Sequence, residues 1–181
     1  MTPLEFLRAI LPEEGFKYLG LARDGHSGIA HKAFDTIEKM AEALESYDKQ
    51  HNLQVYHACA AYKASSYEVE VDGRPKIKYR GEPNWLSAKA FWCDIDCGED
   101  KAAEGKGYAN KRDAAQAVVN FCNSVGLPHP MLVSSGAGLH CYWCLTESIS
   151  PARWRAGATA FKSLLAASGV LADPTRTADL S

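Results

Sequence analysis

Residues 90–96, AFWCDID, constrain the fold more than any other part of the sequence. Their aromatic and aliphatic side chains, bounded by polar segments, are typical of a β-strand. Successive side chains of a strand point to opposite faces, so Asp94 and Asp96 share one face while Cys93 and Ile95 share the other. The sequence therefore predicts a sheet that buries one face of this strand in a core and carries two acids on the other.

Helix-like and strand-like patterns alternate along the rest of the chain. This alternation predicts an α+β fold with a mixed β-sheet covered by helices. Apolar residues at three- and four-residue steps predict helices at 32–50, 112–125 and 151–168, and Thr2-Pro3 begins a shorter one. The other expected elements are strands at 16–22, 53–62, 131–135 and 139–145, a hairpin turning at Asp72-Gly73, a loop at 98–110, and an irregular segment or short strand after residue 169.

The length and charge of the chain limit its organisation and its partners. Its 181 residues suffice for one domain with a sizeable core, for which we expect an N-terminal module at 1–88 and a core at 89–181. The net charge of -2 argues mildly against a nucleic-acid partner, although a near-neutral total can hide local basic patches. The sequence has neither a signal-peptide pattern nor a long apolar run, so we expect a cytoplasmic protein with no membrane partner.

Asp94 and Asp96 are the first candidate site. Two carboxylates on one face repel each other unless a cation lies between them. Hard oxygen ligands at this spacing suit Mg²⁺ or Mn²⁺, and a pair of such ions can support phosphoryl or nucleotidyl transfer. A lone D-x-D is common, however, and a strand end with two solvated acids is the alternative.

His140 is the second candidate, in the segment SSGAGLHCYW. The glycines permit a tight turn between two strands, and backbone N–H groups near Ser135 can cradle phosphate oxygens. His140 follows the turn and can donate a hydrogen bond to a triphosphate. The alternative, favoured for an isolated histidine, is a glycine hairpin with a core-facing side chain.

The third candidate lies near the C-terminus, in Asp173-Pro174-Thr175-Arg176 and Asp179. A carboxylate from this separate segment would complete a metal site, and an adjacent arginine can bind phosphate with two parallel hydrogen bonds. An Asp-Pro turn with a solvated carboxylate is the alternative.

Taken together and in this order, FWCDID, SSGAGLHCYW and VLADPTRTADLS resemble the three motifs of the archaeo-eukaryotic primase superfamily. The phage and plasmid primase-polymerase (prim-pol) branch is the most similar, and the similarity is sharpest over residues 89–145. This resemblance implies an RRM-like catalytic sheet packed with helices and an N-terminal α/β module. It also implies a DNA primase or DNA polymerase that uses two Mg²⁺ or Mn²⁺ ions to join nucleoside triphosphates to a 3'-hydroxyl during DNA replication.

The resemblance also assigns roles to individual residues. Asp94 and Asp96 would bind the metal ions, with Asp173 as the third carboxylate and Asp179 as its rival. His140 would bind the phosphates of the incoming nucleotide. The other expected nucleotide-binding residues are Ser135 and Gly138, which would shape the phosphate loop, and the cations Lys89, Lys106 and Arg176.

The expected partners are a single-stranded DNA template, nucleoside triphosphates and a helicase domain or protein. Members of the family often continue after the third motif with an arginine-rich run. The sequence stops at Leu180-Ser181, where that run is expected to begin, so we expect it to be a fragment of a longer chain.

Two other classes of function are compatible with parts of the pattern. One is a replication-initiation or DNA-binding module with an incomplete catalytic site. The other is a strand-nicking relaxase-type endonuclease, which ranks last because such enzymes usually carry an H-x-H motif and the sequence has none.

Overall fold

A computed structural model describes residues 1–179, and the predicted α+β fold is confirmed, with antiparallel strand pairing. Leu180 and Ser181, which belong to the third predicted motif segment, lie outside the described residues. The helices are α1 (Pro3–Ile10), α2 (Ile37–Asp48), α3 (Glu99–Ala103), α4 (Lys111–Val125) and α5 (Pro151–Ala167). The strands are β1 (Lys17–Arg23), β2 (Ala30–Phe34), β3 (Leu53–His57), β4 (Ala61–Tyr62), β5 (Tyr67–Val71), β6 (Arg74–Lys78), β7 (Trp85–Asp96), β8 (Met131–Ser134) and β9 (Gly138–Ile149).

The described chain forms two compact units. The first comprises residues 1–89 and 146–151, and the second comprises 90–145 and 152–179. The sequence-based boundary between residues 88 and 89 falls one position before the structural one. The second unit is discontinuous in sequence because the last residues of β9 belong to the first unit.

The first unit is built on a three-stranded antiparallel sheet with the order β2-β1-β3. Helix α1 is capped by Thr2, whose hydroxyl accepts a hydrogen bond from the amide of Glu5 while the Glu5 carboxylate accepts one from the amide of Thr2. This reciprocal cap satisfies backbone donors that a helix N-terminus otherwise leaves unpaired. The core of the unit includes Leu7, Ile10, Tyr18, Leu19, Ile37 and Met40.

Strands β5 and β6 form a two-stranded antiparallel hairpin in the same unit. Asp72 and Gly73 turn the chain with φ angles of 52° and 71°, which confirms the predicted Asp-Gly turn. The base of the hairpin is held by the buried side chain of Asn84. Its amide group accepts a hydrogen bond from Ala64 N–H (2.9 Å) and donates to the carbonyls of Ala64 (2.8 Å) and Tyr79 (2.7 Å).

The second unit contains residues 90–96 of β7, the first eight residues of β9, and β8, with β9 between β7 and β8. Helices α4 and α5 belong to the same unit and contribute apolar faces to its core. Phe121 of α4 and Phe161 of α5 meet with ring centroids 6.5 Å apart, and the Trp143 ring lies 4.9 Å from Phe161. The Trp154 indole donates a hydrogen bond to the carbonyl of Ala90 (2.8 Å), which ties α5 to the start of this part of β7.

Several sequence-based boundaries were wrong, and three of them have a clear physical reason. The predicted helix at 32–50 begins only at Ile37, because residues 30–34 pair with β1 and Thr36 caps the helix. The strand expected at 53–62 is two strands, because the chain leaves β1 after His57 and pairs with β7 from Ala61. The loop expected at 98–110 contains the short helix α3.

No helix within residues 1–179 is both long and apolar enough to cross a membrane. The longest helix among the described residues, α5, has 17 residues and carries Arg153, Arg155 and Lys162 along its length.

We predict that Asn84→Ala lowers the free energy of unfolding by about 2 to 4 kcal/mol, because it removes three part-buried hydrogen bonds and leaves the Ala64 N–H and the Tyr79 carbonyl without this partner. Urea unfolding followed by circular dichroism measures the change. The exposed Asn52 provides the matched control, and Asn52→Ala should alter stability by less than about 0.5 kcal/mol. Equal effects of the two substitutions would contradict this account of Asn84.

Candidate functional site

The two acids of the first motif lie at the C-terminal end of β7. Their side chains are partly exposed, at 28% for Asp94 and 37% for Asp96, whereas Cys93 and Ile95 are buried. The alternation predicted for this strand is therefore present. It leaves both carboxylates accessible to a ligand while the intervening residues hold the strand in the core.

Two glycines allow other segments to contact the backbone of β7 at this end. A Cβ atom at Gly138 would lie 2.2 Å from the carbonyl oxygen of Ile95, and one at Gly107 would lie 2.3 Å from that of Asp96. The contact is reinforced by a hydrogen bond from Cys97 N–H to the carbonyl of Ala137 (2.9 Å). Gly138 thus sets how closely the turn before His140 approaches the first motif.

His140 lies beside Asp94. Its Nε2 atom is 3.4 Å from Asp94 Oδ1, and its Nδ1 atom is 3.5 Å from the hydroxyl of Tyr142. The imidazole is 37% exposed, which differs from the core-facing histidine of the alternative interpretation. The structure therefore brings the second motif to the first.

The third motif reaches the same place through its backbone. The Asp173 N–H donates to the carbonyl of Asp94 (2.8 Å), and the Ala178 N–H donates to that of Trp92 (3.0 Å). The segment from Asp173 to Ala178 thus lies along β7, although it is not a strand. Of the two acids predicted as the third carboxylate, Asp173 is the one that this pairing puts next to Asp94.

The carboxylate of Asp173 is already oriented by its own turn. Its Oδ1 atom accepts hydrogen bonds from the amide and the hydroxyl of Thr175, both at 2.7 Å. Burial by itself would raise the pKa of Asp173, but these bonds, the amide of Arg176 and the Arg176 charge outweigh it, so the pKa is lowered. Asp173 is therefore held as the anion.

Asp94 is shifted in the opposite direction. Desolvation raises the pKa of its carboxyl group above the usual range, and the negative charges of Asp96 and Asp173 raise it further. The charges of His140 and Arg176 act against this rise without cancelling it. Asp94 thus experiences the negative charges of both other acids, and a cation between them would relieve this repulsion.

Lys101 is a site residue that sequence reasoning missed. Its ammonium group lies 2.6 Å from Asp96 Oδ2, and this hydrogen bond, together with the charges of Asp96, Glu104 and Asp173, raises the pKa of Lys101. The lysine stands on α3, within the segment predicted as a loop. The sequence signal for this contact would have been a helical turn directly after the acidic strand, because such a turn brings Lys101 back towards Asp96.

Lys111 was also missed. It begins α4, and its ammonium group donates to the Ser134 hydroxyl at 2.7 Å. Its charge also lowers the pKa of the Cys97 thiol, although burial leaves that pKa raised overall. Lys111 is therefore a cation close to both the glycine turn and the end of β7.

The other predicted site residues in this group are Lys89, Lys106, Ser135 and Asp179. The Lys89 ammonium donates to the carbonyl of Arg8 in the first unit (3.0 Å), and Lys106 pairs with Glu104 (3.0 Å). The Ser135 amide donates to the carbonyl of Gly138 (3.1 Å), so this amide is occupied within the turn. Asp179 has an exposed side chain.

Of the predicted cations, Arg176 acts on the acids. Its charge reaches both Asp94 and Asp173, and its carbonyl accepts a hydrogen bond from the Trp92 indole (3.1 Å). Its side chain is exposed and can meet an anionic ligand.

The donor atoms suit a divalent ion, although the side chains do not surround a common point. Among residues 1–179, no group of three or more histidine, cysteine, aspartate or glutamate side chains is placed to hold a metal ion. Instead, the Lys101 ammonium contacts Asp96 and the His140 imidazole lies beside Asp94. Carboxylate oxygens are the preferred ligands of Mg²⁺ and Mn²⁺, so the donor types match such an ion although the side chains do not converge on one.

A C-x-x-C pair, Cys141 and Cys144, occurs in β9, but its two side chains do not share a face. Cys141 is buried and Cys144 is exposed, as expected for positions three apart on a strand. Cys141 shares a hydrogen bond with the buried Cys93, and this contact and burial hold the pKa of Cys93 well above its usual value. These thiols are packing residues beneath the acidic end of β7.

Comparison with known proteins supplies no relative. No protein-family model matches the chain, and no curated protein or solved structure is significantly similar to it. The arrangement of the site residues therefore carries the functional argument.

We predict that Gly138→Ala lowers the free energy of unfolding by at least about 3 kcal/mol, because the new methyl group collides with the backbone at Ile95. Gly136→Ala is the control. Its φ of 81° disfavours alanine, but nothing lies within 4 Å of the added atom, so the cost should be about 1 kcal/mol. Thermal and urea unfolding measure both, and a smaller loss for Gly138→Ala than for Gly136→Ala would refute the close approach.

Proposed function

We propose that the protein is a primase-polymerase that transfers nucleotides from nucleoside triphosphates to a 3'-hydroxyl on a single-stranded DNA template. One observation carries the proposal. Three segments that are far apart in the sequence bring Asp94 and Asp96, His140, and Asp173 to one end of β7. Any one of these motifs is common by itself, but their convergence is what a nucleotidyl-transfer site requires.

The second unit also supports the RRM-like core that we propose for it. Apart from the short α3, its elements follow the order β7, α4, β8, β9, α5, which is the start of a β-α-β-β-α-β arrangement. The segment 173–178 then lies beside β7, on the first strand of the unit, where the last strand of such a fold belongs. The first unit would be the N-terminal α/β module of the same catalytic domain.

In this mechanism the acids and the cations have separate tasks. Asp94, Asp96 and Asp173 would hold one or two Mg²⁺ or Mn²⁺ ions. Such ions neutralise the triphosphate and make the 3'-hydroxyl more acidic.

His140, 37% exposed and 3.4 Å from Asp94, would donate a hydrogen bond to a phosphate oxygen of the incoming nucleotide. Arg176 and Lys111 would bind other phosphate oxygens, and they replace Lys89 and Lys106 as the preferred cations. The proposed setting is DNA replication, in which a helicase is the expected partner.

We predict that Asp94→Ala combined with Asp96→Ala reduces nucleotide incorporation at least 1,000-fold, a loss on the scale expected when the charges that bind catalytic metal ions are removed. The assay measures labelled nucleotide joined to a primed single-stranded template with Mn²⁺ or Mg²⁺, and circular dichroism checks the fold. Glu99→Ala combined with Asp100→Ala is the matched control, since it removes two nearby exposed acids and should leave incorporation within about twofold. Retained activity in the Asp94 and Asp96 variant would sink the assignment.

We predict that Lys101→Met raises the affinity for Mn²⁺ at least about threefold, because it removes the ammonium group that competes for Asp96. Titration of Mn²⁺ by isothermal calorimetry measures the change. Lys106→Met, which removes a cation paired with Glu104 instead, should leave the affinity unchanged. Unchanged or weaker binding by Lys101→Met would show that the lysine does not occupy a metal position.

A nucleic-acid-binding or replication-initiation module without catalysis is the second candidate. One observation favours it: the described acids are engaged by Lys101 and His140 and do not surround a common point. Titration of the protein with Mn²⁺ and a nucleoside triphosphate separates the two candidates. Metal-dependent nucleotide binding supports the polymerase, and its absence supports the non-catalytic module.

A further inference from the structure

The β5–β6 hairpin separates its charges between its two faces. Residues directly opposite each other in an antiparallel pair point to the same face, and the register pairs Tyr67 with Lys78, Val69 with Lys76, and Val71 with Arg74. The three cations therefore share one face. We call this the basic face, and define it as Tyr67, Val69, Val71, Arg74, Lys76 and Lys78.

The opposite face of the hairpin is acidic. It carries Glu68 and Glu70, which pair with Ile77 and Pro75. Over residues 67–78 the positive and negative side chains are equal in number, three of each. The segment is therefore neutral overall, although its two faces carry opposite charges.

The cations of the basic face are exposed and uncommitted. All five residues of β6 are exposed, and no ion pair within residues 1–179 involves Arg74, Lys76 or Lys78. The two strands also make no sheet with any other described strand. Three unpaired like charges in a row repel one another, which a bound anion would relieve.

The spacing of these cations suits a linear polyanion. Alternate residues of a strand are about 7 Å apart, so the three cations span about 14 Å in a straight row. This spacing is comparable with that of successive phosphates in an extended nucleic-acid strand. The half-exposed Val69 and the exposed Val71 beside them offer apolar contacts to sugars, as surfaces that bind single strands commonly do.

Hydrogen bonds anchor the base of the hairpin and so fix the row of cations on β6. Besides the Asn84 hydrogen bonds at its base, the Tyr67 hydroxyl donates to the carbonyl of Arg80 (3.4 Å). Two-stranded hairpins are marginally stable alone, so these contacts hold the ribbon in register. The cations therefore lie on a fixed strand rather than on a flexible loop.

We propose that the basic face binds the phosphodiester backbone of a single-stranded nucleic acid. The face supplies phosphate contacts without base readout, so the binding is independent of sequence. It requires neither a metal ion nor a nucleoside triphosphate, and it does not rest on the proposed catalysis. It also shows how a chain with a net charge of -2 can hold a nucleic acid.

The test compares two variants of equal charge. Arg74→Gln, Lys76→Gln and Lys78→Gln together remove the cations of the basic face, and Lys32→Gln, Lys49→Gln and Arg153→Gln together remove three exposed cations elsewhere. Fluorescence anisotropy with a labelled oligothymidylate of about 20 nucleotides measures affinity in EDTA at several salt concentrations. We expect the hairpin variant to bind at least 10-fold more weakly at low salt, and its salt slope to fall by about 2 because each lost phosphate contact contributes about 0.7.

The control variant should change affinity less than threefold with an unaltered salt slope. Equal losses in both variants would mean that only net charge matters, and no loss in the hairpin variant would place binding elsewhere. Absence of oligothymidylate binding by the unaltered protein, or binding of vesicles of anionic lipid in its place, would also overturn the proposal.

A measurement on the unaltered protein guards against misfolding of the variants. Acetylation of lysines, followed by mass spectrometry with and without the oligothymidylate, reports which ammonium groups the nucleic acid covers. We expect protection of Lys76 and Lys78 and no protection of Lys32 and Lys49. The reverse pattern would refute the proposed surface.

Discussion

The backbone at the end of β7 is the feature on which the candidate site depends. The turn containing Gly138 and the loop containing Gly107 approach this backbone to distances that a side chain would prevent. The segment beginning at Asp173 forms hydrogen bonds to its carbonyls. Glycine at these two positions and main-chain hydrogen bonds from the third segment thus position His140 and Asp173 beside Asp94.

These contacts gather negative charge, and the structure balances it with its own cations. Asp94 is partly desolvated and lies near two other acids, while the Lys101 ammonium contacts Asp96 and the Arg176 charge acts on Asp94 and Asp173. In the proposed function, a metal ion would compete with Lys101 for Asp96, and a phosphate would compete with the acids for His140 and Arg176.

Sequence reasoning predicted the elements with a strong local signal and missed those decided by long-range contacts. The alternation in AFWCDID, the turn at Asp72-Gly73 and the helical spacing at 112–125 are local patterns, and the structure contains all three. The start of α2 and the break after His57 were wrong because a neighbouring strand competes for those residues. Lys101 and Lys111 were missed because only the path of the chain after β7 brings them to the site.

The sequence by itself determined which residue types are present and which face of a strand or hairpin each one occupies, since a period of two follows from backbone geometry alone. The order of the three motifs along the chain is likewise a property of the sequence. Only the tertiary structure decided that Asp173 lies next to Asp94, that Lys101 contacts Asp96, and that Lys89 and Lys106 lie apart from the acids. These outcomes depend on contacts between residues distant in sequence, and on close backbone packing at glycines, which no local pattern specifies.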